Sequence, residues 1–269
     1  MYDTFVPSRA MVIVAHPDDA DFSCSGTIAR WVNAGCQVCY VLCTSGDVGI
    51  AEEGMTRARA IQIREPEQRA AAAAVGVTEV VFLREPDGML EATMGLRKRL
   101  VREIRRFRPE VVIAGDPYLV FTANGWVNHP DHRAAAQSAV DAVFPASGQP
   151  HVFEELAGEG LRAHKVHKLY VFGFGDGTVY SDITGTIDRK IAALQAHPSQ
   201  LGTWTDLGDR IREWAAGTTK QAKEAHPDDP QIQAMEYAES FRVFDIVGDE
   251  EWGKQLEAHT AADAAKPTG

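Results

Sequence analysis

The chain has 269 residues, of which 45% are hydrophobic and 24% are charged, and its formal net charge is −11 at pH 7. This length predicts one large domain rather than two full ones, and the composition is that of a globular protein with a sizeable core. The negative charge argues against nucleic acid or an anionic membrane surface as the partner, because both are negatively charged themselves.

The first part of the chain alternates between predicted strands and predicted helices. Apolar runs typical of buried strands lie at 10–15, 36–43, 79–83 and 110–115. Helices are predicted at 25–35, at 56–76 with a break near Pro66, at 96–107, and from Pro130 onward. Strands that alternate with helices predict βαβ units, and therefore an α/β fold with a mostly parallel sheet.

Beyond residue 150 the alternation loosens into a C-terminal extension. Strands are predicted at 167–174 and 178–184, a helix at 186–197, and largely helical structure at 204–244. No linker marks a boundary, so we predict a single domain over residues 1–269, with a core at about 10–145, the extension at about 150–250 and a frayed tail at about 258–269. The FGFGDG segment (172–177) is not a nucleotide-binding loop in this interpretation, because no clear helix follows it.

The N-terminal stretch and the apolar runs bear on where the protein is located in the cell. The N-terminal stretch has no basic segment followed by an apolar run, and no run approaches the length of a membrane span, so we expect a soluble, cytoplasmic protein. The cysteines are Cys24, Cys36, Cys39 and Cys43. Cys36 and Cys39 belong to a predicted strand and point to opposite faces, which favours small core residues over a redox or zinc pair.

The pentapeptide AHPDD at 15–19 directly follows the first predicted strand. Ligands bind at this edge of open α/β sheets, and the glycine-rich turn of nucleotide-binding proteins is absent here. His16 and Asp19 are three residues apart, so a tight turn brings both to one metal ion, with Asp18 pointing elsewhere. Taken alone, the motif is equally a polar turn in which an aspartate caps the helix.

A second motif, HPDH at 129–132, follows another predicted parallel strand. Alone it is ordinary helix N-cap chemistry, but two such motifs at the same sheet edge converge on a single ion. Histidine and carboxylate ligands favour Zn²⁺ over Mg²⁺, although Fe²⁺, Mn²⁺ and Co²⁺ suit the same site. The spacing leaves open whether His129 or His132 binds the metal.

A second copy of AHPDD lies at 225–229, without an apolar strand before it and with Pro230 after it. This context predicts a loop between helices, in which Asp228 or Asp229 caps the helix that begins near Pro230. No surrounding similarity indicates a duplication.

Several segments resemble one known family. VAHPDDADF, TSGDVG, REPEQRAAAAAVGV, FLREPDGML, RPEVVIAGDP and NHPDHRAA occur in the order seen in the LmbE-like, or PIG-L, deacetylases. KIAALQAHPSQ and YAESFRVF resemble that family's C-terminal signatures, so the resemblance covers about residues 10–245. It implies a Rossmann-like three-layer fold and a zinc-dependent N-deacetylase whose partner is a small N-acetylated amino sugar or conjugate.

The resemblance also implies roles for individual residues. His16, Asp19 and His132 would bind one Zn²⁺ per chain, and Asp18 would be the general base. His129 would stabilise the oxyanion or act as general acid, with Asp131 tuning it. Asp87 would bind a hydroxyl group of the sugar, and Arg64 would lie near the substrate. The alternative for Asp87 is a structural turn residue, and the alternative for Arg64 is a solvated charge on a helix.

Two departures from the family pattern bear on the substrate. Ala20 stands where the family usually has glutamate, so Asp21 would have to replace that group. In addition, WVN (126–128) precedes the second motif, where several sugar deacetylases have an aromatic residue close to the histidine. These differences favour a specialised biosynthetic substrate. The alternatives are an amidase of thiol conjugates or natural products, and a non-catalytic protein that binds a metal or ligand on the same fold. A homo-oligomer is compatible with the sequence.

Overall fold

The computed structural model describes residues 1–122, 125–173 and 177–264. Within these ranges one sheet contains the strands β1 (Arg9–Val14), β2 (Gln37–Thr44), β3 (Glu79–Glu85), β4 (Val111–Gly115), β5 (Lys168–Phe172), β6 (Val179–Asp182) and β7 (Ala238–Asp245). Their order is β3-β2-β1-β4-β5-β7-β6, with β7 antiparallel to both of its neighbours and the other pairs parallel. The predicted α/β fold with a mostly parallel sheet is confirmed.

Helices cover both faces of this sheet. They are α1 (Asp19–Ser23), α2 (Ser25–Asn33), α3 (Arg57–Ala74), α4 (Met94–Phe107), α5 (Pro130–Val143), α6 (Glu155–Gly158), α7 (Ile187–Gln195), α8 (Pro198–Leu201), α9 (Leu207–Ala225), α10 (Pro230–Ala234) and α11 (Asp249–Ala264). Along β1, Met11 and Ile13 pack with α4 and α5, whereas Ala10 and Val12 pack with α2 and α3. Because both faces are buried, β1 is apolar at nearly every position.

The strand order determines where a ligand can enter. β1 lies between β2 and β4, and the helices after β1 and after β4 pack on opposite faces of the sheet. Such a reversal opens a crevice at the carboxyl ends of the two strands. The first AHPDD motif follows β1, and the HPDH motif begins α5 after β4, so both motifs border this crevice.

Two local predictions are wrong. The segment 204–244 is not helical to its end, because Ala238–Asp245 forms β7, whose backbone pairs with both β5 and β6. Helix α3 also continues through Pro66 without a break. Arg64, Glu65 and Gln68 are buried on either side of this proline, and their contacts offset the one backbone hydrogen bond that proline cannot donate.

Helix α11 extends to Ala264, into the segment that we expected to be frayed. Trp252 anchors its first turns by stacking on His167, with ring centroids 5.4 Å apart, and Asp249 lies 3.0 Å from His167 Nε2. Residues 265–269 and the 174–176 portion of FGFGDG lie outside the described residues. In the described ranges, no helix combines the length and apolar character needed to cross a membrane.

The cysteines and the second AHPDD follow their predictions. All four cysteines belong to the described part of the chain, where they are buried and form no disulfide, with Cys39 and Cys36 in the cores on opposite faces. The second AHPDD connects α9 to α10. The Asp229 carboxylate accepts hydrogen bonds from the N–H groups of Gln231 and Ile232 at 3.0 and 3.2 Å, and therefore caps α10.

A buried ion pair joins the C-terminal extension to the core. The Glu239 carboxylate in β7 accepts hydrogen bonds from the N–H groups of Gly26 and Thr27, 3.0 and 2.8 Å away in the first turn of α2. Lys190 of α7 donates to the same carboxylate at 2.6 Å, and both side chains are 6% exposed. A helix N-terminus favours negative charge, so Glu239 holds α2, α7 and β7 together at one point.

Lys190→Met is expected to lower the free energy of unfolding by about 3 kcal/mol, because it leaves the buried Glu239 carboxylate without its cation. Urea unfolding measures this loss. The matched control is Lys254→Met, which removes an exposed pair with Glu250 (2.6 Å) and is expected to cost less than about 1 kcal/mol. Equal losses for the two variants would contradict an anchoring role for Lys190.

Candidate active site

Three imidazoles meet at the carboxyl ends of β1 and β4. His16 follows β1, and His129 and His132 lie at the start of α5. The ring centroids are 5.0 Å apart for His16 and His129, 5.2 Å for His16 and His132, and 5.3 Å for His129 and His132. One nitrogen of each ring lies within 4.8 Å of the others. The crevice therefore brings the two motifs together.

Asp19 lies between two of these rings. Its Oδ1 is 3.1 Å from Nε2 of His132, and its Oδ2 is 3.6 Å from Nδ1 of His16 while accepting the His16 N–H at 2.8 Å. One carboxylate and two imidazoles in this arrangement are a donor set that suits zinc and related divalent ions. These residues fit a metal ion.

A second group of possible ligating atoms shares His16. Nε2 of His16 lies 3.0 Å from Asp87 Oδ1 and 3.3 Å from Asp131 Oδ2. Because ionised carboxylate oxygens only accept hydrogen bonds, Nε2 carries a hydrogen toward Asp87 and Asp131, and Nδ1 is the nitrogen on the Asp19 side. Burial lowers the pKa of His16, but hydrogen bonds with Asp19 and Asp87 outweigh this and raise it to about 10.

Asp19 and His132, two further candidate ligands, shift each other's pKa. Burial raises the pKa of Asp19, but the positive charge of His132 and its hydrogen bond hold it well below its usual value. Burial lowers the pKa of His132, and the negative charge of Asp19 outweighs that effect and raises it. The mutual stabilisation keeps Asp19 ionised and directed at the imidazoles.

The side-chain partner of the Asp18 carboxylate is Arg64. Asp18 has a left-handed backbone (φ 89°), and its Oδ2 accepts a hydrogen bond from Arg64 at 3.1 Å. Burial raises the pKa of the Asp18 carboxyl to about 7, and the negative charge of Asp19 adds to this shift. A carboxyl group that titrates near neutrality is suited to accept a proton from water.

Arg64 is buried rather than solvated, with 4% of its surface exposed. Its Nη2 donates to the Pro17 carbonyl at 2.8 Å as well as to Asp18, and its Nη1 donates to the Gly46 carbonyl at 3.0 Å. A Cβ at Gly46 would lie 2.1 Å from Nη1. Gly46 therefore leaves the space in which Arg64 reaches the HPDD turn.

Gly46→Ala is expected to destabilise the protein by more than about 1 kcal/mol, because alanine is strained at φ +65° and its methyl group displaces Arg64. The control is Gly54→Ala in the same loop, where φ is +81° and no atom lies within 4 Å of the added Cβ. Thermal unfolding of both variants separates the shared backbone strain from the clash. Equal destabilisation would show that the Arg64 contact has no effect on stability.

Asp87 and Asp131 connect the PDG loop to α5. Asp87 is 3% exposed, faces His16, and accepts the Val48 N–H at 2.9 Å. The Asp131 carboxylate accepts the N–H groups of Gly88 and Leu90 at 2.7 and 3.3 Å. Each carboxylate thus has at least one protein partner in addition to His16.

His129 has a different environment from His132. Its Nδ1 accepts the backbone N–H of Asp131 at 3.2 Å, which caps α5, whereas the nearest Asp131 carboxylate oxygen is 3.9 Å away. Burial lowers the pKa of His129, and the neighbouring charge of His16 lowers it further. The ring is 45% exposed and is available to a ligand in the crevice.

The sequence interpretation named Asp21 but missed Gln68 and His197, which support the HPDD turn together with it. Asp21 is fully buried and its Oδ2 contacts Nε2 of His197 and Nε2 of Gln68, both at 2.9 Å. The Gln68 carbonyl oxygen then accepts the N–H of Asp18 at 2.8 Å. Gln68 and His197 lie in REPEQRAAAAAVGV and KIAALQAHPSQ, two segments that carried the family resemblance, and this was the available signal.

Comparisons with known proteins agree with this geometry. The family model described as PIG-L, GlcNAc-PI de-N-acetylase, matches residues 11–143. The diacetylchitobiose deacetylase of Thermococcus kodakarensis is 29% identical over 193 residues, which are 72% of this chain and 70% of the relative. The 1D-myo-inositol 2-acetamido-2-deoxy-alpha-D-glucopyranoside deacetylase of Rhodococcus erythropolis is 30% identical over 244 residues, covering 72% of this chain and 81% of the relative.

The solved structures include a similar fold with a bound inhibitor. The N,N'-diacetylchitobiose deacetylase from Pyrococcus horikoshii, complexed with its inhibitor MPG, superposes with a TM-score of 0.77 at 25% identity. The superposition covers 89% of this chain and 84% of the other.

Proposed function

Because this chain belongs to the PIG-L family of de-N-acetylases, we propose that it is a metal-dependent hydrolase that removes the acetyl group from an amino-sugar-containing small molecule. The observation that carries the proposal is the group formed by Asp19 with His16 and His132 beside the crevice. The proposal includes one Zn²⁺ per chain, with Fe²⁺, Mn²⁺ and Co²⁺ as substitutes, held by these three residues.

The residues around this group would divide the chemistry of amide hydrolysis. A bound zinc ion would polarise the carbonyl and lower the pKa of water. Asp18, held by Arg64, would accept the proton of the attacking water. His129 would donate from Nε2 to the carbonyl oxygen as charge develops there, because its Nδ1 is engaged by the Asp131 N–H.

The other proposed site residues, Asp131 and Asp87, would orient the histidines and bind the substrate. Asp131 would tune its neighbour His129 and orient His16. Asp87 would bind a sugar hydroxyl with whatever capacity its contacts to His16 and Val48 leave. The buried, unpaired thiols accord with a cytoplasmic, reducing compartment, which we include in the proposal.

The experiment that tests the proposal is a mass-spectrometric screen of the zinc-loaded protein against N-acetylated sugars and thiol conjugates. We expect release of acetate and a free amine, with loss of both products when a chelator removes the metal. Absence of chelator-sensitive turnover on every amide would favour the alternative of a non-catalytic ligand-binding protein.

One observation favours a second candidate, hydrolysis of an amide in a larger conjugate. Large apolar side chains are exposed on the 116–128 segment before HPDH, with Tyr118 at 85% and Phe121 and Trp126 at 73%, and Met89 is 61% exposed beside the PDG loop. An apolar group linked to the amino sugar would cover this surface. Preference for an N-acetylglucosaminide with an aryl group over the free sugar would support this candidate, and the reverse preference would count against it.

A further inference from the structure

Asn128, directly before HPDH, contacts a candidate metal ligand. It is 9% exposed, and its side chain lies between α5 and the preceding segment. Its Nδ2 donates to the Leu119 carbonyl at 2.9 Å, and its Oδ1 is 3.1 Å from Nδ1 of His132. The Asn128 backbone N–H also donates to the Val120 carbonyl at 2.8 Å, so the residue is held firmly.

The hydrogen-bonding capacity of each group determines the direction of these contacts. A backbone carbonyl only accepts, so the amide nitrogen of Asn128 must face Leu119. Its oxygen then faces His132, and the Nδ1 that meets this oxygen must carry a hydrogen. Because Nδ1 is committed to Asn128, Nε2 is the nitrogen left for a metal ion, and it lies 3.1 Å from Asp19.

The same reasoning gives His129 the opposite arrangement. Its Nδ1 accepts the Asp131 N–H and therefore has no hydrogen, so the hydrogen of the neutral ring is on Nε2. The two HPDH histidines are thus distinguished by their partners: His132 has Nε2 left for a metal ion beside Asp19, and His129 has Nε2 left as a hydrogen-bond donor. The three-residue spacing could not separate them.

We propose that Asn128 is a positioning residue that holds His132 with its hydrogen on Nδ1 and thereby makes Nε2 the metal-binding nitrogen. The effect of Asn128 on metal binding rests on the proposed function, whereas the position of the hydrogen on His132 does not. Partners that orient a ligating histidine commonly change metal affinity 10–100-fold when removed. Asn128 also fastens the segment before HPDH through Leu119, so two variants are needed to separate its two contacts.

The first measurement is made on the unaltered protein labelled with ¹⁵N-histidine. Long-range ¹H–¹⁵N correlation spectra are recorded without metal and with zinc, and His132→Gln assigns the resonances of that ring. We expect a hydrogen on Nδ1 of His132 in both states. A His132 ring with a bare Nδ1 in either state would overturn the proposal. An intact Nδ1–H in a protein that releases no acetate would instead overturn the proposed function alone.

The second measurement is zinc affinity by competition with a chromophoric chelator. Asn128→Ala is expected to weaken binding about 10–100-fold. Asn128→Asp keeps an acceptor for His132 but loses the donor to Leu119, and it should recover most of the affinity. The control is Asn33→Ala, whose exposed side chain pairs with Arg189 and should leave affinity unchanged. If Asn128→Ala folds and binds zinc with wild-type affinity, the proposal is overturned. If Asn128→Ala does not fold, the proposal is overturned by an Asn128→Asp variant that binds zinc as weakly as a variant without a proposed ligand, such as Asp19→Ala.

Discussion

Asp18→Asn is expected to lower kcat for amide hydrolysis by about 10²–10⁴-fold while the zinc content stays near that of the unaltered protein. Asparagine keeps the size of the side chain and tolerates the left-handed backbone at this position (φ 89°), but it cannot accept a proton from water. The Asp18 carboxylate accepts a hydrogen bond from Arg64 and is not one of the three proposed ligands, so metal binding should persist. Acetate release gives kcat, and plasma mass spectrometry gives the metal content.

The chain supplies its own control for this prediction. Asp228 occupies the same position in the second AHPDD, where it is exposed in the turn between α9 and α10. Asp228→Asn makes the same chemical change in the same pentapeptide, and kcat should not change. Near-normal kcat for Asp18→Asn would remove Asp18 as the general base.

Asp19→Ala is expected to weaken zinc binding by more than about 100-fold and to abolish metal-dependent hydrolysis, because it removes a proposed ligand rather than a partner of a ligand. The variant also loses the contact with His132 Nε2 at 3.1 Å and the bond from the His16 N–H at 2.8 Å. Competition with a chromophoric chelator measures the affinity, and circular dichroism checks the fold.

The matched control is Asp229→Ala in the second AHPDD. Asp229 caps α10, so its loss should cost about 0.5–2 kcal/mol of stability without an effect on zinc. Unchanged zinc affinity in Asp19→Ala would show that the ligand set lies elsewhere, with His16, His129 and His132 as the next set to test.

Local patterns in the sequence were sufficient to predict much of the fold. The apolar runs that became β1, β2 and β4 are buried on both faces, and a strand of that kind is apolar at nearly every position. The first AHPDD was distinguished from the second by the strand before it. Pro230 predicted a capped helix start with Asp228 or Asp229 as the cap, and the structure selects Asp229. By contrast, β7 was missed because a half-buried strand at 238–245 is defined by its pairing with β5 and β6, which are distant in sequence.

The sequence by itself determined the family resemblance, the parallel core and the two motifs whose side chains meet in the crevice. The tertiary structure decided how those side chains are held. Asp21 meets His197, which is 176 residues away, and Glu239 bonds to Thr27 across 212 residues. It also decided which nitrogen of His132 faces Asp19, through the Asn128 amide. Hydrogen-bond direction depends on which groups meet in space, whereas apolar periodicity depends only on neighbours along the chain.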